Sequence, residues 1–200
     1  MKILFLTNNE NTRPLSDWLA SQGEEIVLYG DRLTLEQVAG REYDMAISFN
    51  YRYLIPGDVI DSMKGHIINL HTSLLPWNRG SSPNFWSFWE NSPKGVTIHL
   101  VDETLDTGAY LFQRELFFDE DKESFASSYE TLMETMMDVF KENWMELKAW
   151  QLSPYRREEK GSYHTMKDFR ELVGDFYFTW DDNVAMTKKR LAEYRNKTGE

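Results

Sequence analysis

Ile3-Leu4-Phe5-Leu6-Thr7 is the first of four short apolar runs that decide the fold. Glu25 to Tyr29, Met45 to Phe49 and His66 to Leu70 are the other three, and each has the length of a strand. Helical spacing fills the gaps between them. Arg13 to Gln22 puts Leu15, Trp18 and Leu19 on one face, Leu35 to Ala39 makes a short helix, and Pro56 to Met63 makes another that Gly65 ends. Alternation of strand and helix over the first 70 residues predicts an α/β fold, with a mostly parallel twisted sheet flanked by helices.

Beyond that stretch the pattern changes. Ser82 to Glu90 reads as a helix carrying Phe85, Trp86, Phe88 and Trp89. Gly95 to Val101 alternates as a strand, and Ala109 to Phe117 is another. Ser124 to Trp150 is the longest helical segment, with Phe125, Tyr129, Leu132, Met136, Val139, Phe140 and Trp144 at roughly helical spacing. Pro154 breaks that pattern, Arg156 to Lys160 is a charged loop, and Gly161-Ser162-Tyr163-His164 opens a short strand. The polar tail from Thr187 to Glu200 reads as a surface helix or a frayed end. The economical division is one domain over residues 1–150 and a small C-terminal extension over residues 151–200.

Composition narrows the chemistry. There is no cysteine, which excludes thiol catalysis, cysteine-bound zinc and a disulfide scaffold, and agrees with a cytoplasmic location. The formal net charge of −11 disfavours nucleic acid as the main partner, although Arg79 or Arg156-Arg157 would allow a local basic groove. Small-molecule substrates fit such a chain more easily. No apolar run approaches a membrane span, and the N-terminal one is too short for the core of a signal peptide. The histidines lack ligand spacing, so no metal is expected.

Asn69-Leu70-His71 closes the fourth apolar run, so the amide and the imidazole share a face if the strand persists. In open α/β sheets ligands sit beyond the carboxyl ends of the strands, where this pair lies. Asp106-Thr107-Gly108 adds a carboxylate at a turn after the strand that ends near Val101. Amide, imidazole and carboxylate are the groups that move an acyl unit onto an amine. Asn69 can donate to the oxyanion of the tetrahedral intermediate, and His71 can do the same or shuttle a proton. Asp106 can orient the imidazole, favour its charged form, or accept the proton lost by the amine. Leu74-Leu75-Pro76 followed by Trp77-Asn78-Arg79-Gly80 is a rigid-then-flexible loop suited to the approach of a substrate, and Arg79 could clamp a phosphate or a carboxylate. His99 either supports the site or packs.

Asn-x-His, Leu-Pro-x-x-Arg-Gly and Asp-x-Gly about 35 residues later resemble the formyltransferases that use 10-formyltetrahydrofolate. The resemblance runs from Met1 to Trp150 and implies a Rossmann-like formyltransferase fold, with 10-formyltetrahydrofolate as formyl donor. It implies that Asn69, His71 and Asp106 are catalytic. Arg52-Tyr53-Leu54 matches the segment whose backbone meets the pteridine ring, and Val101 to Leu105, with Asp102, matches the loop closing over it. Within the family, the segments Pro83 to Trp89 and Pro93 to His99 look closest to short amino-sugar N-formyltransferases and peptide-synthetase formylation domains. Gly161 to His164 and Lys167-Asp168-Phe169 resemble the C-terminal hairpin of the sugar enzymes, which is compatible with a homodimer. The acceptor implied first is a nucleotide-linked amino sugar. An aminoacyl group on tRNA or a carrier protein, or glycinamide ribonucleotide, is the alternative; hydrolysis of the donor and folate binding without catalysis are further readings.

Overall fold

The computed structural model describes residues 1–198; the last two residues of the polar tail, Gly199 and Glu200, lie outside the described residues. In chain order the elements begin β1 (Lys2–Leu6), α1 (Arg13–Ser21), β2 (Glu25–Tyr29), α2 (Leu35–Val38), β3 (Met45–Phe49), α3 (Gly57–Ser62) and β4 (Ile67–His71). They continue with β5 (Arg79–Gly80), α4 (Pro83–Trp89), β6 (Lys94–Leu100), β7 (Tyr110–Leu116), α5 (Phe125–Glu142) and α6 (Trp144–Ala149). The last three are β8 (Tyr163–His164), α7 (Met166–Val173) and α8 (Val184–Thr198), and a 3-10 turn, Glu10–Thr12, leads into α1 at the other end of the chain.

Six strands form the main sheet in the order β2-β1-β3-β4-β6-β7. The pairs β1–β2, β1–β3 and β3–β4 are parallel, and β4–β6 is antiparallel. The sheet is therefore mostly parallel, as the alternation predicts. Strands β1 and β3 are buried at nearly every residue because both faces are covered. Leu4, Leu6, Ala46 and Ile67 point to one face, into a cluster with Val38 of α2 and Val59 of α3. The alternate residues Ile3, Phe5, Ile47 and Ile68 point to the other face and are fully buried there.

Two compact units share the chain. One comprises Met1–His71, Thr97–Phe112 and Phe140–Arg156; the other comprises Thr72–Val96, Gln113–Val139 and the residues from Arg157 onward. In the first, Trp18 of α1 meets Phe140 and Trp144 edge-on, at 6.4 and 6.3 Å between ring centroids. In the second, Phe85 and Phe88 of α4, Phe125 of α5, and Val184 and Leu191 of α8 form an aromatic-rich core. Among the described residues no helix is long and apolar enough to cross a membrane.

Two expectations from the sequence change. The helix expected over Ser124 to Trp150 is two helices, because Asn143 leaves helical geometry (φ −104°, ψ 10°) between α5 and α6. The spacing of Phe140, Trp144 and Leu147 continues across that break, which hides it from pattern reading. Tyr163–His164 is not one arm of a hairpin: it pairs in parallel with Arg79–Gly80. Glycine permits that approach, since a Cβ on Gly80 would lie 2.3 Å from the His164 carbonyl oxygen. Of the two readings of the tail, the described part takes the helical one, in a helix with Val184, Thr187 and Leu191 buried.

Candidate active site

Asn69 and His71 lie on the same face of β4, and the antiparallel partner β6 sets His99 directly opposite Asn69. A residue from each strand thus meets side by side: Asn69 Nδ2 is 3.1 Å from His99 Nε2. Asp106, in the turn between β6 and β7, reaches back to the same place. Asn69 Nδ2 donates to its Oδ1 at 3.1 Å. His71 Nδ1 lies 3.7 Å from Asp106 Oδ2, and His99 Nε2 lies 3.6 Å from Oδ1. Those two distances are ion-pair rather than hydrogen-bond range. The two imidazoles stand edge to face, 6.3 Å apart.

All four groups are held away from bulk water. His71, His99 and Asp106 are 8%, 2% and 6% exposed, and Asn69 is half-buried. A carboxylate so enclosed is tolerable only with donors around it, and here the Asn69 amide and the His71 imidazole face it. His99 Nδ1 is 2.8 Å from the Leu100 carbonyl oxygen, which can only accept, so Nδ1 carries a proton. In the neutral ring Nε2 is then an acceptor for Asn69. Both amide N–H groups of Asn69 are consequently engaged, one by His99 and one by Asp106. His99 is the member that sequence reading left undecided between support and packing; its signal was the register of β6 against β4.

The turn that delivers Asp106 is tightly specified. Leu100 N donates to the Ala109 carbonyl at 2.9 Å, closing the loop at its neck. A Cβ on Gly108 would lie 1.6 Å from the Leu100 carbonyl oxygen, so the glycine of Asp-x-Gly is required by backbone contact. Asp106 itself sits in the left-handed region at φ 55°. Inside the loop, Asp102 Oδ1 accepts from the Thr107 hydroxyl at 2.6 Å and the Thr104 N–H at 3.1 Å. Val101 N donates to the Ile67 carbonyl at 2.9 Å, and Leu105 is 39% exposed.

Arg52, Tyr53 and Leu54 follow β3 at the carboxyl edge of the parallel strands. Arg52 N donates to Asn8 Oδ1 at 3.0 Å, its guanidinium lies 5.3 Å from the Tyr53 ring centroid, and Leu54 is 62% exposed. At the same edge a cavity of about 240 Å³ opens beyond β1, lined by Thr7, Asn8, Asn9, Thr12 and Arg13 among others. That is smaller than the ~300–1,000 Å³ of pockets that take a whole drug-sized ligand. Among the described residues no histidine–carboxylate cluster is arranged to hold a metal ion.

Trp77, Asn78, Arg79 and Gly80 belong to the second unit. Asn78 is fully buried, and its Nδ2 donates to Ser92 Oγ at 2.8 Å while its N–H donates to Ser162 Oγ at 3.0 Å. Its amide therefore organises the loop. Trp77 gives its carbonyl to the Ser73 hydroxyl at 2.8 Å. Arg79 is half-buried and, with Gly80, forms the strand paired to Tyr163–His164.

In a mostly parallel α/β sheet, an amide, two imidazoles and a carboxylate converge at the end of a strand, a set of groups that can stabilise an oxyanion and move a proton. The family model described as formyl transferase matches residues 20–141. The chain belongs to the formyl transferase family and is a formyltransferase. The formyltransferase PseJ from Anoxybacillus kamchatkensis, solved with UDP-4,6-dideoxy-4-formamido-L-AltNAc and tetrahydrofolate, superposes with a TM-score of 0.85. It shares 37% sequence identity, over 94% of this chain and 97% of that one. The dTDP-4-amino-4,6-dideoxyglucose formyltransferase of Mycobacterium tuberculosis is 28% identical over 86% of this chain and 77% of its own length. GDP-perosamine N-formyltransferase of Brucella melitensis is 34% identical over 59% of this chain and 43% of its own.

Proposed function

We propose that this formyltransferase takes the formyl group of 10-formyltetrahydrofolate and places it on the amino group of a nucleotide-linked amino sugar. The observation that carries the donor chemistry is the buried Asn69–His99–Asp106–His71 cluster at the carboxyl end of β4. The acceptor class is supported by the end-to-end likeness to PseJ, whose complex holds a formamido sugar nucleotide and tetrahydrofolate.

In this reading the acceptor nitrogen attacks the formyl carbon, and a new C–N bond forms as the carbonyl becomes an oxyanion. Asn69 exchanges one of its two internal hydrogen bonds for that oxygen, and protonated His71 supports the same charge. Asp106 keeps the imidazole oriented and receives, directly or through water, the proton that the attacking amine loses. Collapse of the intermediate breaks the bond between the formyl carbon and N10, which leaves with the proton of His71, and Asp106 returns the amine's proton to the imidazole. Arg52 to Leu54 and the Val101–Leu105 loop receive the folate, and Trp77 to Gly80 the acceptor. The reading assigns the enzyme to the cytoplasm, in keeping with a cysteine-free chain. It includes a homodimer, supported by the 87% exposed Phe117 beside the edge strand β7; light scattering tests the oligomeric state.

The deciding assay follows tetrahydrofolate release from 10-formyltetrahydrofolate in the presence of UDP-, dTDP- and GDP-linked amino sugars, with mass detection of the formamide. Release with one of these acceptors, and a fall of at least ~10²–10³ in turnover for His71→Ala, is expected. Release without any amine would make the enzyme a hydrolase. Turnover by His71→Ala at the wild-type rate would remove the mechanism.

A further inference from the structure

We infer that Arg156 is a positioning residue that holds the Asp106 turn in its working conformation. The inference rests on the proposed role of Asp106. That carboxylate is presented by a non-glycine residue at φ 55°, a conformation a free loop would leave. Something must keep the turn there. From inside the loop, Asp102 holds Thr104 and Thr107. From outside, Arg156 Nη1 donates to the carbonyl oxygen of Thr107, the residue after Asp106, at 2.5 Å. Its Nη2 stands 3.9 Å from Asp102 Oδ2. One guanidinium therefore spans the beginning and the end of the turn, with the rigid fork that suits two acceptors at once.

The segment that carries Arg156 is itself fixed. Tyr155 forms a two-way antiparallel bridge with Tyr110, whose N–H donates to the Tyr155 carbonyl at 2.8 Å and whose carbonyl accepts from Tyr155 N at 2.9 Å. The two rings meet edge-on at 5.8 Å. Tyr110 comes two residues after Gly108, so strap and turn are tied at adjacent points. The Arg156 side chain is 64% exposed and buries little, so its contribution is directional rather than hydrophobic. A sequence reading sees only a charged residue at the start of a polar loop.

The test compares Arg156→Ala, Arg156→Lys and Asp106→Asn in the full chain, with 10-formyltetrahydrofolate and a UDP-linked 4-amino-4,6-dideoxy sugar as substrates. Arg156→Ala is expected to lower kcat by ~10-fold or more, the scale of a small misplacement of a reacting group, while KM for the amine acceptor stays within about twofold. Its melting temperature should match wild type, and amide exchange should accelerate only around residues 101–109. Arg156→Lys, which keeps a donor for the Thr107 carbonyl, should recover most of kcat. Unchanged kcat in Arg156→Ala, or a raised KM at unchanged kcat, would overturn the inference. Asp106→Asn separates the two levels of the argument. Wild-type turnover there would remove the catalytic reading, whereas an inactive Asp106→Asn beside a fully active Arg156→Ala would remove only the positioning role.

Discussion

Two late segments of this chain fold back onto earlier scaffolds, and they are fastened by different chemistry. Phe140 to Arg156 belongs to the unit that carries the candidate site. There Trp144 packs on Trp18, Lys148 pairs with Glu24, Tyr155 bridges Tyr110, and Arg156 grips the Asp106 turn. The segment from Arg157 onward belongs to the other unit, where ring packing and close glycine contacts join polar ties such as Lys188 to Glu120 at 2.7 Å, Asn183 Nδ2 to the Glu123 carbonyl at 3.0 Å and Asn78 N–H to Ser162 Oγ at 3.0 Å. His164 stacks on Trp86 at 3.8 Å, Phe169 meets Phe85 at 4.9 Å, and Gly161 lets the backbone touch Pro76. Among the polar ties of the first segment, Arg156 reaches the turn that carries Asp106. What sets the second segment apart is its aromatic core, built with Phe85, Phe88 and Phe125.

The sharpest way to break the second kind of fastening is Phe85→Ala. Phe85 is 2% exposed and its ring touches Trp86, Trp89, Phe125, Phe169 and Phe178. Removing it takes away transfer energy and leaves a cavity, an expected loss of about 3–5 kcal/mol by denaturant unfolding. Unfolding with a loss under ~1 kcal/mol would mean that the aromatic cluster is redundant.

Gly161→Ala should come next, at about 2–3 kcal/mol. The new Cβ would lie 2.0 Å from the Pro76 carbonyl oxygen, and the backbone there has φ 64°. Gly40→Ala is the control: its φ is 73°, yet nothing lies within 4 Å of the added atom. It should cost about 1 kcal/mol, the conformational share alone. Equal losses at both positions would show that the approach to Pro76 contributes nothing.

The same contrast explains what could be read in advance. Runs such as Met45 to Phe49 name themselves as strands, because a strand covered on both faces has to be apolar throughout. Asn69, His71 and Asp106 were legible because the two strand residues share a face and Asp106 sits at a turn that requires glycine. His99 needed the register of β6 on β4, and Arg156 needed the path of a strap, neither of which local periodicity encodes. The pairing of Arg79–Gly80 with Tyr163–His164 depends on absent side chains about 84 residues apart. One local signal passed unread: Thr165 and Asp168 form a capping box that announces α7.

A comparably small effect tests the polar fastening by pH. Glu24, whose side chain is 1% exposed, accepts from Lys148 and from the Met1 amino group, the latter at 2.6 Å. Burial alone would raise its pKa, but the hydrogen bonds and charges of Lys148 and the amino terminus outweigh it and hold the carboxyl below its ordinary 4.5. A carboxylate with a depressed folded-state pKa adds stability that is complete above the unfolded value and fades as pH falls through the folded one. Glu24→Gln should therefore cost about 1–2 kcal/mol at neutral pH, the range for hydrogen bonds to charged groups. Wild type and variant should converge in the acid range below the ordinary carboxylate value. A gap that persisted undiminished in acid would assign Glu24 a packing role and leave Arg156 as the polar tie of this segment.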